Sequence, residues 1–365
     1  MAKIATKIPQ LDTLLGGGLE SGSLSCLWVK PGLDGTAFAY QIAHNASKST
    51  KVFYVLNSKS IDAAQADMKS YGFNPKNTNF VDAYSALVSA TPTTKLAIEN
   101  PKDSSEILKA ISVIVKKIKN PVIIIDSLST LIDLTEQENV TFLNNLKKLK
   151  ATIVCLFTAW PYNAAFIKNL RSVFDTIVNI NFIEDKLFFR EYFSVPKTKS
   201  GSSGKELIPY KVLKPGGIKI YIPKILVTGP FNAGKTSFIH SASTKAVSVD
   251  RLGTTIALDH GHVKYRDFAV DLFGTPGQQR FDPILKLLGG EALGVVVMVS
   301  ATDPQGFPRA LDMMKKAQVK GLPVVFVANK ADLRGALTPK QIKVRMSLNE
   351  GDIVHIPAGT LHTHG

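Results

Sequence analysis

Two short runs in the second half of the chain carry the residue types of phosphate and base recognition. "GPFNAGKTS" (Gly229–Ser237) follows the strand-like "KILVTG" and opens the helix-like "KTSFIHSAST". Gly229 and Gly234 permit a tight loop with close backbone approach, and Asn232 and Ala233 lie in the turn between them as further nucleotide contacts. Lys235 would span the outer phosphates, Thr236 would offer its hydroxyl to Mg²⁺, and Ser237 continues the phosphate-facing helix start. "ANKAD" (Ala328–Asp332) ends an apolar strand-like run, so Asn329, Lys330 and Asp332 stand where nucleotides bind in α/β sheets. An Asp332 carboxylate can accept hydrogen bonds from guanine N1–H and the 2-amino group. Adenine lacks that donor pair, and the unpaired acceptor discriminates strongly against it.

The first half contains a loop of the same plan without its lysine. In "VKPGLDGTAFAY" (Val29–Tyr40), Val29 takes the place of the first loop glycine, Asp34 that of the second, and Gly35 that of the lysine; only Thr36 survives. An inward Asp34 sets negative charge against a phosphate, at a cost of about 1 kcal/mol at 4 Å in water and several times more in a drier site. ATP hydrolysis by this loop is not expected, although weak binding through Thr36 and Asp126 stays open.

Together the 229–237 and 328–332 motifs resemble the Ras-like small GTPases, over residues 224 to about 360. The resemblance implies that Thr255 in "GTTIALD" is the switch threonine that binds Mg²⁺ beside the γ-phosphate. It also makes "DLFGTPGQQRF" (Asp271–Phe281) the second switch, closest in wording to the bacterial and archaeal branch that includes the cell-polarity GTPase MglA. Two alignments of that switch exist. With Gly277–Gln278 as the G-Q pair, the preferred one, Gln278 orients the attacking water and Gly274 stands in the metal-aspartate position. With Asp271–Gly274 as D-x-x-G, Asp271 is a metal ligand and the glutamine is displaced. "PAGT" falls at the base-contacting loop, making Ala358 a nucleotide contact. "GDIVHIPAGTLHTHG" echoes a metal-binding cupin strand through His355, His362 and His364, but loose polar histidines are the preferred reading.

The first half resembles KaiC-like and RecA-like ATPases over residues 1–223. "IPQLDTLLGGGLESGSLSCLWVKPGLDGTAFA" matches the opening of that family, and "VIIID" ending at Asp126 its magnesium-organising strand. "YVLNSKS" puts Ser58 and Lys59 where KaiC-like proteins carry catalytic glutamates.

Short apolar runs alternating with helical patterns across 365 residues predict α/β architecture in two units. The expectation is two P-loop-type three-layer α/β domains: residues 1–223 RecA/KaiC-like, and residues 224–365 Ras-like without the usual last helix. The Gly/Ser/Pro-rich 196–217 run reads as a surface hairpin connection. The net charge of +15 is scattered over helical patterns and reads as a solvated surface, with peripheral membrane contact as the sharper alternative. No zinc-finger or aromatic-basic signature points to nucleic acid. Cys26 and Cys155 sit in apolar runs, as buried thiols of a reducing compartment do, and a cytoplasmic location is expected.

The functional expectation is a switch that binds GTP/GDP with Mg²⁺ and hydrolyses GTP slowly, with Gln278, Lys235 and Thr255 catalytic. The KaiC-like half would be a scaffold, which the resemblance implies is oligomeric, and a protein effector or activator is expected. The alternative is a non-hydrolysing GTP-binding assembly or localisation factor.

Overall fold

The computed structural model describes residues 2–135, 140–185, 188–201, 204–249, 258–265, 268–349 and 353–355. The chain forms two compact units, Met1–Tyr221 and Ile222–Gly365.

The first unit is built on a nine-stranded sheet. Its strands in chain order are β1 (Leu24–Val29), β2 (Val52–Leu56), β3 (Thr78–Asp82), β4 (Val122–Asp126), β5 (Thr152–Thr158), β6 (Thr176–Asp185), β7 (Phe188–Lys197), β8 (Gly204–Leu213) and β9 (Gly217–Ile220). The spatial order is β9-β8-β7-β6-β1-β5-β4-β2-β3. The six strands from β3 to β6 pair in parallel, and β6 to β9 continue as an antiparallel meander. A central parallel strand is covered on both faces, which is why "LSCLWV" is apolar at nearly every position. Its alternation feeds two cores: Leu27 and Val29 pack with Phe38 and Tyr54, while Cys26 and Trp28 pack with Phe157 and Phe174 on the other face. Cys26 and Cys155 lie opposite each other in register as free buried thiols, and burial raises both above their usual range.

Part of the run read as a connecting loop is structural. Residues 204–213 form β8, which buries Ile208 and Tyr210 against Phe38 and Phe193. Only the turn around Thr198–Gly201 and the cis Lys214–Pro215 turn fit the loop expectation.

The second unit has a seven-stranded sheet: β10 (Lys224–Thr228), β11 (Lys245–Val249), β12 (Leu258–Tyr265), β13 (Phe268–Gly274), β14 (Gly294–Ser300), β15 (Val324–Asn329) and β16 (Ile353–His355). The order is β11-β12-β13-β10-β14-β15-β16, with β11–β12 and β12–β13 antiparallel and the rest parallel. Edge strand β11 begins directly after the run 235–244 that the sequence pattern assigned to a helix. That helix stops at Ala242. Leu226, Val295, Val297 and Phe326 face one core, and Val227, Met298 and Val327 face the other, with Ile239 and Leu272. The expected absence of a last helix concerns residues 356–365, outside the described residues. Among the described residues no helix is long and apolar enough to cross a membrane.

Candidate functional site

The loop between β10 and helix α1 (Lys235–Ala242) is forced into shape by its glycines. Gly229 has φ +147°, and a Cβ there would stand 2.1 Å from the Met298 carbonyl oxygen. Gly234 has φ +90°, and a Cβ there would meet the Asn329 amide nitrogen at 2.0 Å. Neither position can take a side chain without moving backbone or the Asn329 brace. That brace is direct: Asn329 Nδ2 donates to the Ala233 carbonyl at 3.1 Å, and its Oδ1 accepts from the Lys330 amide at 2.9 Å. Asn329 of the base motif therefore also ties the loop to the end of β15, two strands away in the sheet.

The Lys235 side chain folds back over its own loop and donates to the carbonyls of Gly229 (2.9 Å) and Pro230 (2.8 Å). It is 8% exposed. Burial pushes its ammonium down to about 8; the Asp259 carboxylate opposes the shift and the Arg309 guanidinium adds to it. A buried cation held only by neutral carbonyls gains by meeting an anion.

A cavity of about 580 Å³ opens over the loop. Asn232, Gly234, Lys235, Thr236, Ser237, Gly277, Gln278 and Lys330 line it, joined by Phe231, Asp259, Arg280 and Phe281. Gly229 and Ala233 lie buried beneath it, and Asp332 is exposed just past β15, outside the lining. Thr255 and Ala358 lie outside the described residues, as do His362 and His364.

The carboxylate beside Thr236 comes from an unexpected residue. The Thr236 hydroxyl donates to Asp259 Oδ2 at 2.6 Å. Asp259 on β12 is paired in register with Gly274 on β13, and a Cβ at Gly274 would touch the Asp259 side chain at 3.0 Å. The space an aspartate at 274 would need thus holds a carboxylate reaching in from the adjacent strand. Asp271 is not brought to Thr236; its carboxylate pairs with His262 Nδ1 at 2.8 Å and His260 Nε2 at 3.4 Å. Hydroxyl and carboxylate oxygens are the hard donors Mg²⁺ takes, so Thr236 and Asp259 would hold it. No local spacing marks Asp259 in the sequence; it is placed by the register that sets it opposite Gly274. Asp259→Ala is expected to reduce the Mg²⁺ dependence of GDP affinity roughly 10–100-fold while Asp271→Ala leaves it unchanged, as read by titrating GDP with and without chelator. Equal loss in both variants would assign the carboxylate role elsewhere.

The corresponding place in the first unit is filled from within. Asp34 Oδ1 accepts from the Thr36 amide at 2.8 Å and the Thr36 hydroxyl at 2.6 Å, at the N-terminus of the helix Thr36–Ala46. A Cβ at Gly35 would stand 2.5 Å from Val29 Cγ2. Asp126 is 1% exposed and accepts from Tyr54 at 3.0 Å and Ser58 at 3.1 Å. Lys59 pairs with Asp67 at 2.9 Å.

Burial raises the Asp126 carboxyl above its usual range, with the Tyr54 and Ser58 bonds opposing. The native state therefore holds this proton more tightly than the unfolded chain, and stability drops as pH rises through the carboxylate range. Asp126→Asn, which keeps an acceptor for Tyr54, is expected to raise Tm at neutral pH and to lose that gain near pH 4. A lower Tm at neutral pH would show that the charge is stabilising.

Comparison with known proteins follows the same division. The KaiC family model matches residues 4–225, and the ADP-ribosylation factor (Arf) family model matches residues 218–361. Ras-related protein Rab-44 of Mus musculus is 31% identical over 130 residues, 33% of this chain and 13% of that protein. The chain thus spans only a small part of that relative. Among crystal structures, a KaiC-like protein from Pyrococcus horikoshii OT3 aligns with TM-score 0.48 at 16% identity, covering 60% of this chain and 99% of that one. Flagellar accessory protein FlaH from Methanocaldococcus jannaschii aligns with TM-score 0.48 at 18% identity, covering 61% and 99%. The chain belongs to the KaiC family, and its second unit has the fold of the Ras/Arf small GTPases.

Proposed function

We propose that the protein is a GTP-binding switch whose second unit, residues 224–365, binds guanine nucleotide and hydrolyses GTP slowly, while residues 1–223 act as a KaiC-like scaffold without ATP chemistry. The observation that carries this reading is the cavity over Gly229–Ser237, with a buried, anion-seeking Lys235 on its floor and the Asn329–Ala233 brace beneath.

In this reading Lys235 exchanges its two loop carbonyls for phosphate oxygens, and the amides of the loop and helix start surround the same group. Asp332 selects guanine. Mg²⁺, when bound, neutralises charge between the phosphates. Gln278, exposed at the cavity rim, orients the attacking water, and Thr255 answers to the γ-phosphate. Arg280 lines the cavity but lies over the Phe281 ring, 4.7 Å from its centroid, and in this reading it does not act as a finger, so intrinsic turnover is on the order of 10⁻³ s⁻¹ or less until an activator supplies one. The "TPGQ" wording supports kinship with the MglA-like branch. A protein effector reading the 255–281 region, and oligomer formation through the KaiC-like half, complete the proposal.

The first unit is inert toward ATP because Asp34 already supplies the anion at its helix start and Gly35 leaves no lysine. The test is calorimetric binding of GDP, a non-hydrolysable GTP analogue and ATP, each with Mg²⁺, followed by single-turnover hydrolysis. Guanine-specific binding at one site with slow turnover supports the switch. Binding with no turnover favours the assembly-factor alternative.

A further inference from the structure

The segment Gly277–Asp282, which carries Gln278, is held at both ends by one side chain. Arg309, on helix Phe307–Lys316, forks onto Asp282 with Nη2 to Oδ1 at 2.5 Å and Nη1 to Oδ2 at 3.1 Å. The same guanidinium touches the Gly277 carbonyl through Nε and Nη2, both at 3.4 Å. The two ties differ in kind. The Asp282 fork is charge-assisted and bidentate, only 15% and 19% exposed at its two side chains, and it is seconded by Lys316 at 2.7 Å. The contacts to Gly277 sit at the edge of hydrogen-bond length and lack a charged acceptor. On its other side Gly277 is pressed on the phosphate loop: a Cβ there would stand 2.4 Å from the Phe231 amide nitrogen.

We propose that Arg309 is the positioning residue of the second switch, a fixed pivot at Asp282 and an exchangeable latch at the Gly277 carbonyl. This rests on the reading of the second unit as a GTP-binding switch. The consequence is directional. When nucleotide state changes, the Gly277 end moves and the Asp282 end stays, so Gln278 swings on a short arm whose rest position Arg309 sets. Removing the fork frees both ends, and Gln278 loses its register on the cavity.

The experiment compares the full-length protein with Arg309→Met, Arg309→Lys and Asp312→Asn. Asp312 is Arg309's more exposed partner (2.8 Å) and touches neither end of the segment. Each is measured for GDP affinity, affinity for a non-hydrolysable GTP analogue, and single-turnover hydrolysis, all with Mg²⁺. Expected are GDP affinities within about twofold throughout and hydrolysis reduced tenfold or more in Arg309→Met, since loss of orientation of this size costs on the order of 10- to 100-fold. Arg309→Lys should be intermediate, and Asp312→Asn like the parent. The ratio of analogue to GDP affinity should also shift in Arg309→Met, which a purely structural role would not produce. If the parent hydrolyses GTP and Arg309→Met matches it in rate and in that ratio, the proposal is overturned while the switch reading stands. If the parent shows no hydrolysis, the ratio alone decides: unchanged overturns the latch, changed upholds it. If the parent does not bind guanine nucleotide, both fall. Should Arg309→Met unfold, the charge-swapped pair Arg309→Asp/Asp282→Arg takes its place, with recovery of rate over either single change as the supporting result and none as the overturning one.

Discussion

Lys235→Ala is expected to lower affinity for GDP roughly 100-fold or more, equivalent to about 2.7 kcal/mol. The lysine is the cationic side chain on the floor of the cavity, and its present partners are neutral carbonyls of its own loop. A phosphate would replace two neutral acceptors with charged ones, adding a full charge–charge attraction that carbonyl dipoles do not supply. The substitution also leaves the Gly229 and Pro230 carbonyls without that donor, so some loss of stability accompanies it, on the order of 1 kcal/mol per carbonyl. Lys235→Met keeps the volume and separates the two effects: affinity should fall as far while Tm falls less. Calorimetry decides. Guanine affinity that survives both variants would put the nucleotide elsewhere, and ATP binding that survives them would mean the Val29–Tyr40 loop is active.

Asp332→Asn is expected to change which base is bound rather than whether phosphate is held. A carboxylate only accepts, matching the two donors on guanine; a carboxamide both donates and accepts. Guanine should lose on the order of 100-fold or more, and xanthine, whose 2-position is a carbonyl, should gain. Competition between GDP and XDP for a labelled nucleotide measures the exchange directly. An unchanged preference would mean that Asp332, exposed just past β15, does not face the base.

The alternation of apolar runs with helical patterns made both sheets legible, because a parallel strand buried on two faces leaves an unbroken apolar signature. "LSCLWV" and "VIIID" are examples, every residue of each being buried. β8 was not legible: "GKELIPYKVL" is polar and interrupted by proline, and it is a strand because Ile208 and Tyr210 find Phe38 and Phe193, far away in sequence. Local loop geometry in the second unit was readable from its glycines. What reaches the site from outside was not. Asp259 matters through its pairing with Gly274, and Arg309 through a fork to Asp282 on another helix. Both are relations between distant residues, set by strand register and helix packing rather than by any local spacing.

The Asp34 cap has a consequence for any redesign of the loop. A helix start that holds its own carboxylate is not opened to phosphate by one change. A lysine at 35 alone would crowd Val29 and Leu156, whose side chains stand 2.5 and 2.8 Å from where its Cβ must go, and would meet Asp34 before any nucleotide. Glycine at 34 alone would strip Thr36 of its amide and hydroxyl acceptor, a loss of about 1 kcal/mol with nothing gained. Each single change thus brings a clash or a lost hydrogen bond, and only several together would clear this helix start for a phosphate.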